Sequence, residues 1–199
     1  MFRAVRNPWR LFAQVARHFP RVARRAVIML GCTSDPRFLS GLSRRMPFVR
    51  VCWLRYAFPT YKGPILNGAL PAYVFGERRA PSGRVLPGEV TAKGRAMAGR
   101  GARARAGQHP CPRDLHHVKW LVAHFTAATE TVLDPFAGGG STLVAAWLHG
   151  REAVGIERSR TWARQAAADL ERVMAQGRLP LTAARPPAPR QGKLFEGAP

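Results

Sequence analysis

Between Thr131 and Glu157 the chain reads T-V-L-D-P-F-A-G-G-G-S-T-L-V-A-A-W-L-H-G-R-E-A-V-G-I-E. Two kinds of residue in this stretch could do chemistry. Gly138, Gly139 and Gly140 let the backbone come close to a ligand and take positive φ without a Cβ clash. Glu157 supplies a carboxylate that can accept hydrogen bonds from both hydroxyls of a ribose. Together they suit a nucleotide-type cofactor. The string is not a G-x-G-x-x-G dinucleotide fingerprint, and no Gly-Lys-Ser/Thr makes it a Walker loop. For the glycines alone, a structural β–α turn is the plain alternative.

Such residues need a scaffold that sets a turn beside the tip of a neighbouring strand. Thr131–Leu133 is a short β-branched and apolar run, suited to a buried parallel strand. Asp134–Gly140 is the turn. Ser141–His149 has helical spacing, and Ala153–Ile156 returns as a second apolar strand closed by Glu157. The turn then lies outside the carboxyl end of a strand, where open α/β sheets bind ligands.

The combination D-P-F-x-G-x-G-S-T followed by G-I-E resembles the S-adenosylmethionine motif of DNA amino-methyltransferases, which methylate the exocyclic amine of adenine or cytosine. The resemblance implies a Rossmann-like α/β sheet and S-adenosylmethionine as cofactor. It implies that Asp134, Pro135, Phe136, Gly138 and Gly140 shape the donor pocket. The free amides at Ser141 and Thr142 would favour the methionine carboxylate, and Glu157 would hold the ribose. His109-Pro110-Cys111-Pro112-Arg113 resembles the family's second cofactor motif, so His109, Pro110 and Pro112 would wall the pocket. Family members often read H-P-x-x-K-P, so this fit is partial. The reaction implied is direct methyl transfer, with neither a covalent enzyme intermediate nor a metal, in a restriction-modification setting.

Composition bears on the partner. The 199 residues hold 32 Lys and Arg against 11 Asp and Glu, a net charge of +21. This favours a polyanion, nucleic acid first. Only Lys62, Lys93, Lys119 and Lys193 are lysines, so the excess is arginine; a GC-rich genome would give the same skew. Cys32, Cys52 and Cys111 show no C-x-x-C pairing, which fits a reducing cytoplasm. No apolar run reaches membrane-spanning length. His116, His117 and His124 invite a metal reading, but no carboxylate or cysteine completes a ligand set at suitable spacing.

In chain order, Trp9–Phe19 is expected as an amphipathic helix and Arg25–Gly31 as a buried strand. Ser34–Arg37 turns the chain, and Phe38–Leu42 suits a helical turn. Phe48–Tyr56 and Leu70–Gly76 read as strands of a hairpin, with Phe58–Asn67 as its loop. Glu77–Gln108 is rich in Gly, Pro, Ala and Arg and should be mobile without a ligand. Its Arg78, Arg79, Arg84, Lys93, Arg95, Arg100, Arg103 and Arg105 suit double-stranded DNA phosphate; a solvated insertion is the alternative. A helix from Asp114 to Phe125 should bury Leu115, Val118, Leu121, Val122 and Phe125. Arg160–Met174 is a final helix with Trp162, Ala166, Leu170 and Val173 as its stripe. We expect one methyltransferase domain over residues 1–176 and a Pro-rich disordered tail over 177–199.

In the family, a [DNS]-P-P-[YFW] loop holds the flipped base, its polar groups accepting the amino hydrogens while the aromatic stacks. No D-P-P-Y occurs here. The nearest string is Asp35-Pro36-Arg37-Phe38, just after a buried strand. Either Asp35 belongs to a degenerate catalytic loop, or the loop and two strands precede Met1. About five of the family's seven strands are visible, which favours the second reading: a fragment, a late start codon or a degraded relative. An exposed sheet edge should then carry unpaired backbone groups. A non-catalytic nucleic-acid-binding remnant, or a methyltransferase acting on RNA or another substrate, are the alternatives.

Overall fold

The computed structural model describes residues 8–31, 33–43, 45–78, 87–95, 109 and 113–177. Among these residues, six strands form two sheets. The larger has four strands in the order β1-β3-β2-β4, and the smaller pairs β5 with β6. The strands are β1 (Arg25–Met29), β2 (Phe48–Lys62), β3 (Ile65–Gly76), β4 (Glu89–Arg95), β5 (Val132–Asp134) and β6 (Ala153–Gly155). The helices are α1 (Pro8–Ala16), α2 (Phe19–Val22), α3 (Ser40–Ser43), α4 (Leu115–Phe125), α5 (Ser141–Leu148) and α6 (Arg160–Ala175). A 3-10 turn, Pro36–Leu39, leads into α3.

Strand alternation builds the two faces of the larger sheet. Cys52, Leu54 and Tyr56 of β2, with Leu70, Ala72 and Val74 of β3 and Ala92 of β4, meet Leu121 and Phe125 of α4. The opposite face sends Phe75 of β3 and the partly buried Ala26, Ile28 and Tyr73 against Ala16, Leu39 and Leu42 of the amino-terminal helical layer. Val118 and Val122 of α4 pack on Ala145 of α5, with Met29 of β1 and Val132 of β5 alongside. Thus α4 is the element shared by both sheets. Burying one such aliphatic side chain stabilises the fold by about 1.5–3 kcal/mol.

The sheets run the same way. At the start of β1, Arg25 reaches Glu130, just ahead of β5, at 3.3 Å and the Phe125 carbonyl at 3.2 Å. At the end of β1, the Met29 carbonyl accepts from Arg113 at 3.5 Å. The Arg113 carbonyl in turn accepts from Ser141, at the start of the helix after β5. Since β1 and β2 both pair antiparallel with β3, and β2 is parallel to β4, the carboxyl ends of β1, β2, β4, β5 and β6 share one edge. Among the described residues, β1 is paired along β3 alone and β5 along β6 alone. Two short sheets stand among the described residues in place of a single one.

Several expectations need correction. Phe58–Asn67 is not a loop: β2 and β3 run on through it and turn only at Gly63 and Pro64. Pro59 is tolerated because the register shifts between Arg55 and Thr60, where its missing N–H costs no ladder bond. Within the basic stretch, residues 89–95 form β4 and bury Ala92 on the core. Residues 79–86, 96–108 and 178–199 lie outside the described residues, so the expected flexible segment and tail are not described there. The first helix divides at His18, and Pro20 enters the first turn of α2, where its missing N–H is an orphan anyway. On α4, Leu115 is exposed and His117 takes the buried place expected for an apolar residue.

Candidate cofactor site

Asp134 ends β5, and its carboxylate accepts from the Phe136 amide at 3.0 Å, closing the first bend of the turn. The Ala137 amide then donates to the Ile156 carbonyl at 3.0 Å, stitching the turn to the end of β6. Gly138 and Gly140 have φ of 53° and 78°, left-handed values that a side chain resists. Close packing adds a second reason for these glycines. A Cβ on Gly140 would stand 2.9 Å from the Ala166 Cβ of α6, and one on Gly138 3.2 Å from the His109 ring. His109 in turn meets Trp162 edge to face at 5.1 Å.

Glu157 comes back over the turn from β6. One carboxylate oxygen accepts from the Gly138 amide at 3.0 Å, and the other from the Ser159 amide at 2.7 Å. Each oxygen retains a second lone pair for a ligand hydroxyl. Ser159 caps α6, accepting from the Trp162 amide. The first-turn amides of α5 at Ser141 and Thr142 have no intrahelical acceptor, and Gly140 at the N-cap offers no side chain to cover them. Phe136 and Ile156 leave large apolar surfaces exposed beside the turn.

The structure therefore brings together Asp134, Pro135, Phe136, Gly138, Gly140, Ser141, Thr142, Glu157 and His109. Pro110 and Pro112 lie outside the described residues. Among the described residues, Asp35 makes no hydrogen bond or ion pair to this group. It caps the 3-10 turn by accepting from the Arg37 amide at 2.9 Å, and the Arg37 guanidinium forks onto both its oxygens. Those contacts hold its carboxyl below the usual carboxylate range. Of the basic residues assigned to DNA, Arg78 and Lys93 are described and exposed. Arg95 is described as the last residue of β4, and Arg79, Arg84, Arg100, Arg103 and Arg105 are not described.

Sequence reading missed three supports of the site. Arg113 ties the end of β1 to the start of α5, Trp162 backs His109, and Ser159 fixes Glu157. Only Ser159 had a local signal, as a serine just ahead of a helical run. A cleft of about 290 Å³ lies elsewhere, between α1 and α3, lined by Phe12, Ala16, Phe38 and Leu42. Its lining is mostly apolar, with Arg17 and Arg45 beside it, and it gathers none of the groups above.

Residues 78–168, which hold the turn, His109 and Glu157, match the family model N6_N4_Mtase, described as DNA methylase. Part of the chain is also similar to "Putative methylase YubD" of Escherichia coli (strain K12). That match is 42% identical over 72 residues, 35% of this chain, and spans 32% of the relative's length. The fold extends the likeness to most of the chain. The M1.HpyAVI–SAM complex superposes with a TM-score of 0.64 at 15% identity, over 82% of this chain and 84% of that one. The PvuII DNA methyltransferase (cytosine-N4-specific) gives 0.58 at 12%, over 84% and 74%. The Thermus thermophilus protein TTHA0409, complexed with S-adenosyl-L-methionine, gives 0.54 at 17%, over 83% and 77%. The mixed α/β architecture of the chain is thus similar to that of these DNA methyltransferases. No helix among the described residues is long and apolar enough to cross a membrane.

Proposed function

We propose that this chain serves S-adenosylmethionine-dependent methyl transfer to the exocyclic amino group of adenine or cytosine in double-stranded DNA, in the cytoplasm. The observation that carries the reading is the Glu157 carboxylate held against the Gly138 amide at 3.0 Å, beside the open amino terminus of α5. The donor set matches the cofactor group by group. The Glu157 carboxylate suits the ribose hydroxyls, the Ser141 and Thr142 amides suit a carboxylate, and Phe136 and Ile156 offer apolar surface for an aromatic base. His109 walls the turn, with Pro110 and Pro112 assigned beside it by resemblance. When bound, the cofactor supplies an electrophilic methyl group on sulfonium. The chain's task is to fix that donor and exclude water while the amine approaches. Arg78 and Lys93 would meet phosphate, with the other arginines of the basic stretch. Residues 1–176 would act as one domain.

One observation favours a second reading, binding without turnover. Asp35, the only residue assigned a catalytic role, is committed to Arg37. The test is transfer of labelled methyl from S-adenosylmethionine to unmethylated DNA, with digestion and identification of the modified nucleoside. N6-methyladenine or N4-methylcytosine supports transfer. Label on matched RNA alone would redirect the substrate. Cofactor binding with no label on any substrate supports the second reading.

A further inference from the structure

The proposed function leaves one feature unused: the outer end of the β2–β3 ribbon. Pairing with β4 ends at Phe58, opposite Arg95, yet β2 and β3 stay paired through Thr60–Asn67, Tyr61–Leu66 and Lys62–Ile65. Gly63 turns the ribbon at φ 60°, the positive value required at the first central position of a primed hairpin turn. A Cβ there would meet nothing within 4 Å, so the tip stands in open space. Pro59 lies against Gly68, and Asn67 is buried.

The tip carries large apolar side chains in solvent. Tyr61 is 71% exposed and Phe58 58%, the highest among the described large hydrophobics, with Leu66 at 56% and Ile65 at 45%. Tyr61 and Leu66 are direct cross-strand partners and so share one face, while Ile65 belongs to the other. From Tyr56 to Gly76 there is no Asp or Glu. β2 is parallel to β1, so the ribbon leaves from the carboxyl edge of the sheets, the edge that also bears the glycine turn and Glu157. A duplex presenting a base to that turn would lie along the same edge.

We propose that this ribbon is a DNA-inserting arm, whose Tyr61 and Leu66 wedge against base steps of the duplex bound at the site. This rests on DNA being the substrate. Reach allows it: from Phe58 to Gly63 the strand extends about 16 Å, and a groove is about 7.5–8.5 Å deep. Apolar side chains pushed between base steps unstack and kink a duplex, and that cost is offset by the contacts the bend allows. Charge favours a polyanion over a second copy as the occupant, because two chains of +21 repel one another.

The test uses the full chain and an unmethylated duplex containing 2-aminopurine, whose fluorescence rises on unstacking. Wild-type protein should raise the signal at saturation. Tyr61→Ala and Leu66→Ala should each abolish most of the rise and weaken binding by about tenfold. The dependence of affinity on salt should keep its slope, since phosphate contacts are untouched. Tyr61→Phe, which retains the ring, should behave as wild type, and melting curves of all variants should coincide because these side chains are exposed. Equal signal and affinity in the alanine variants would overturn the inference, as would duplex binding by wild type with no rise in fluorescence. A wild-type dimer that Tyr61→Ala dissolves would assign the arm to a protein interface instead. Wild-type protein that binds S-adenosylmethionine but no duplex would sink the arm and leave the cofactor reading standing.

Discussion

Removing the Glu157 carboxylate perturbs the site at its centre. In Glu157→Ala the Gly138 amide loses an acceptor at 3.0 Å and the Ser159 amide one at 2.7 Å. Both amides are only partly buried, so water can replace the acceptor, and the stability loss should stay near 1–2 kcal/mol. The cofactor loses its ribose acceptor, and the turn that cradles it loses a tie. Charge-assisted hydrogen bonds of this kind contribute on the order of 1–3 kcal/mol, which weakens affinity by about 5- to 150-fold. Glu157→Gln keeps one oxygen but sets an NH2 group where the other accepted, so its affinity should fall between the two. Calorimetric titration of S-adenosylmethionine into the three proteins, with melting curves as the control for folding, measures this directly. A folded Glu157→Ala protein that binds the cofactor as tightly as wild type would remove Glu157 from the site and refute the reasoning.

Gly140→Ala should destabilise the fold by about 1–3 kcal/mol, through its left-handed φ and the Cβ contact with Ala166, and thermal melting checks it. Burial pushes both His117 and His149 below the ordinary imidazole value, so each takes up a proton less readily in the folded chain than in the unfolded one. Below about pH 6.5 the unfolded chain binds more protons at these two rings than the folded chain does, so stability should fall as pH drops. The slope is up to about 1.4 kcal/mol per pH unit for each histidine. Denaturant unfolding between pH 7.5 and 5.5 measures it, and a slope of the opposite sign would contradict the burial argument. Asp35→Ala should leave cofactor affinity and any methyl transfer unchanged, because its carboxylate serves Arg37; loss of transfer with cofactor binding intact would restore Asp35 to a catalytic role.

The cofactor half was legible because its signals are local. β5, the turn, α5 and β6 are contiguous in sequence, and Gly138, Gly140 and Glu157 each have the one residue type their position needs. The α4 cap at Asp114 and its apolar spacing were legible for the same reason. His117 was not. Its ring reaches the Arg55 carbonyl of β2 at 2.7 Å and packs on Tyr56, a long-range arrangement that helical spacing cannot reveal. In the sequence the hairpin tip reads as loop because Pro59, Gly63, Pro64 and Asn67 all signal turns. Only the register shift and a two-residue turn let the strands continue through them. β4 was hidden by its composition: Val90 and Ala92 are few apolar residues, but parallel pairing to β2 puts them at the core. The separation into two sheets depends on which strand edges meet, which no single segment encodes.

The central claim is that the glycine turn and Glu157 form one binding site for the methyl donor. The most direct measurement is an amide NMR titration of the labelled chain with S-adenosylmethionine. The account predicts saturable shifts at Gly138, Gly139, Gly140, Ser141 and Ser159, all lost in Glu157→Ala at the same cofactor concentration. Shifts confined to the α1–α3 cleft around Phe12 and Leu42, or no shift at the turn at saturation, would contradict it.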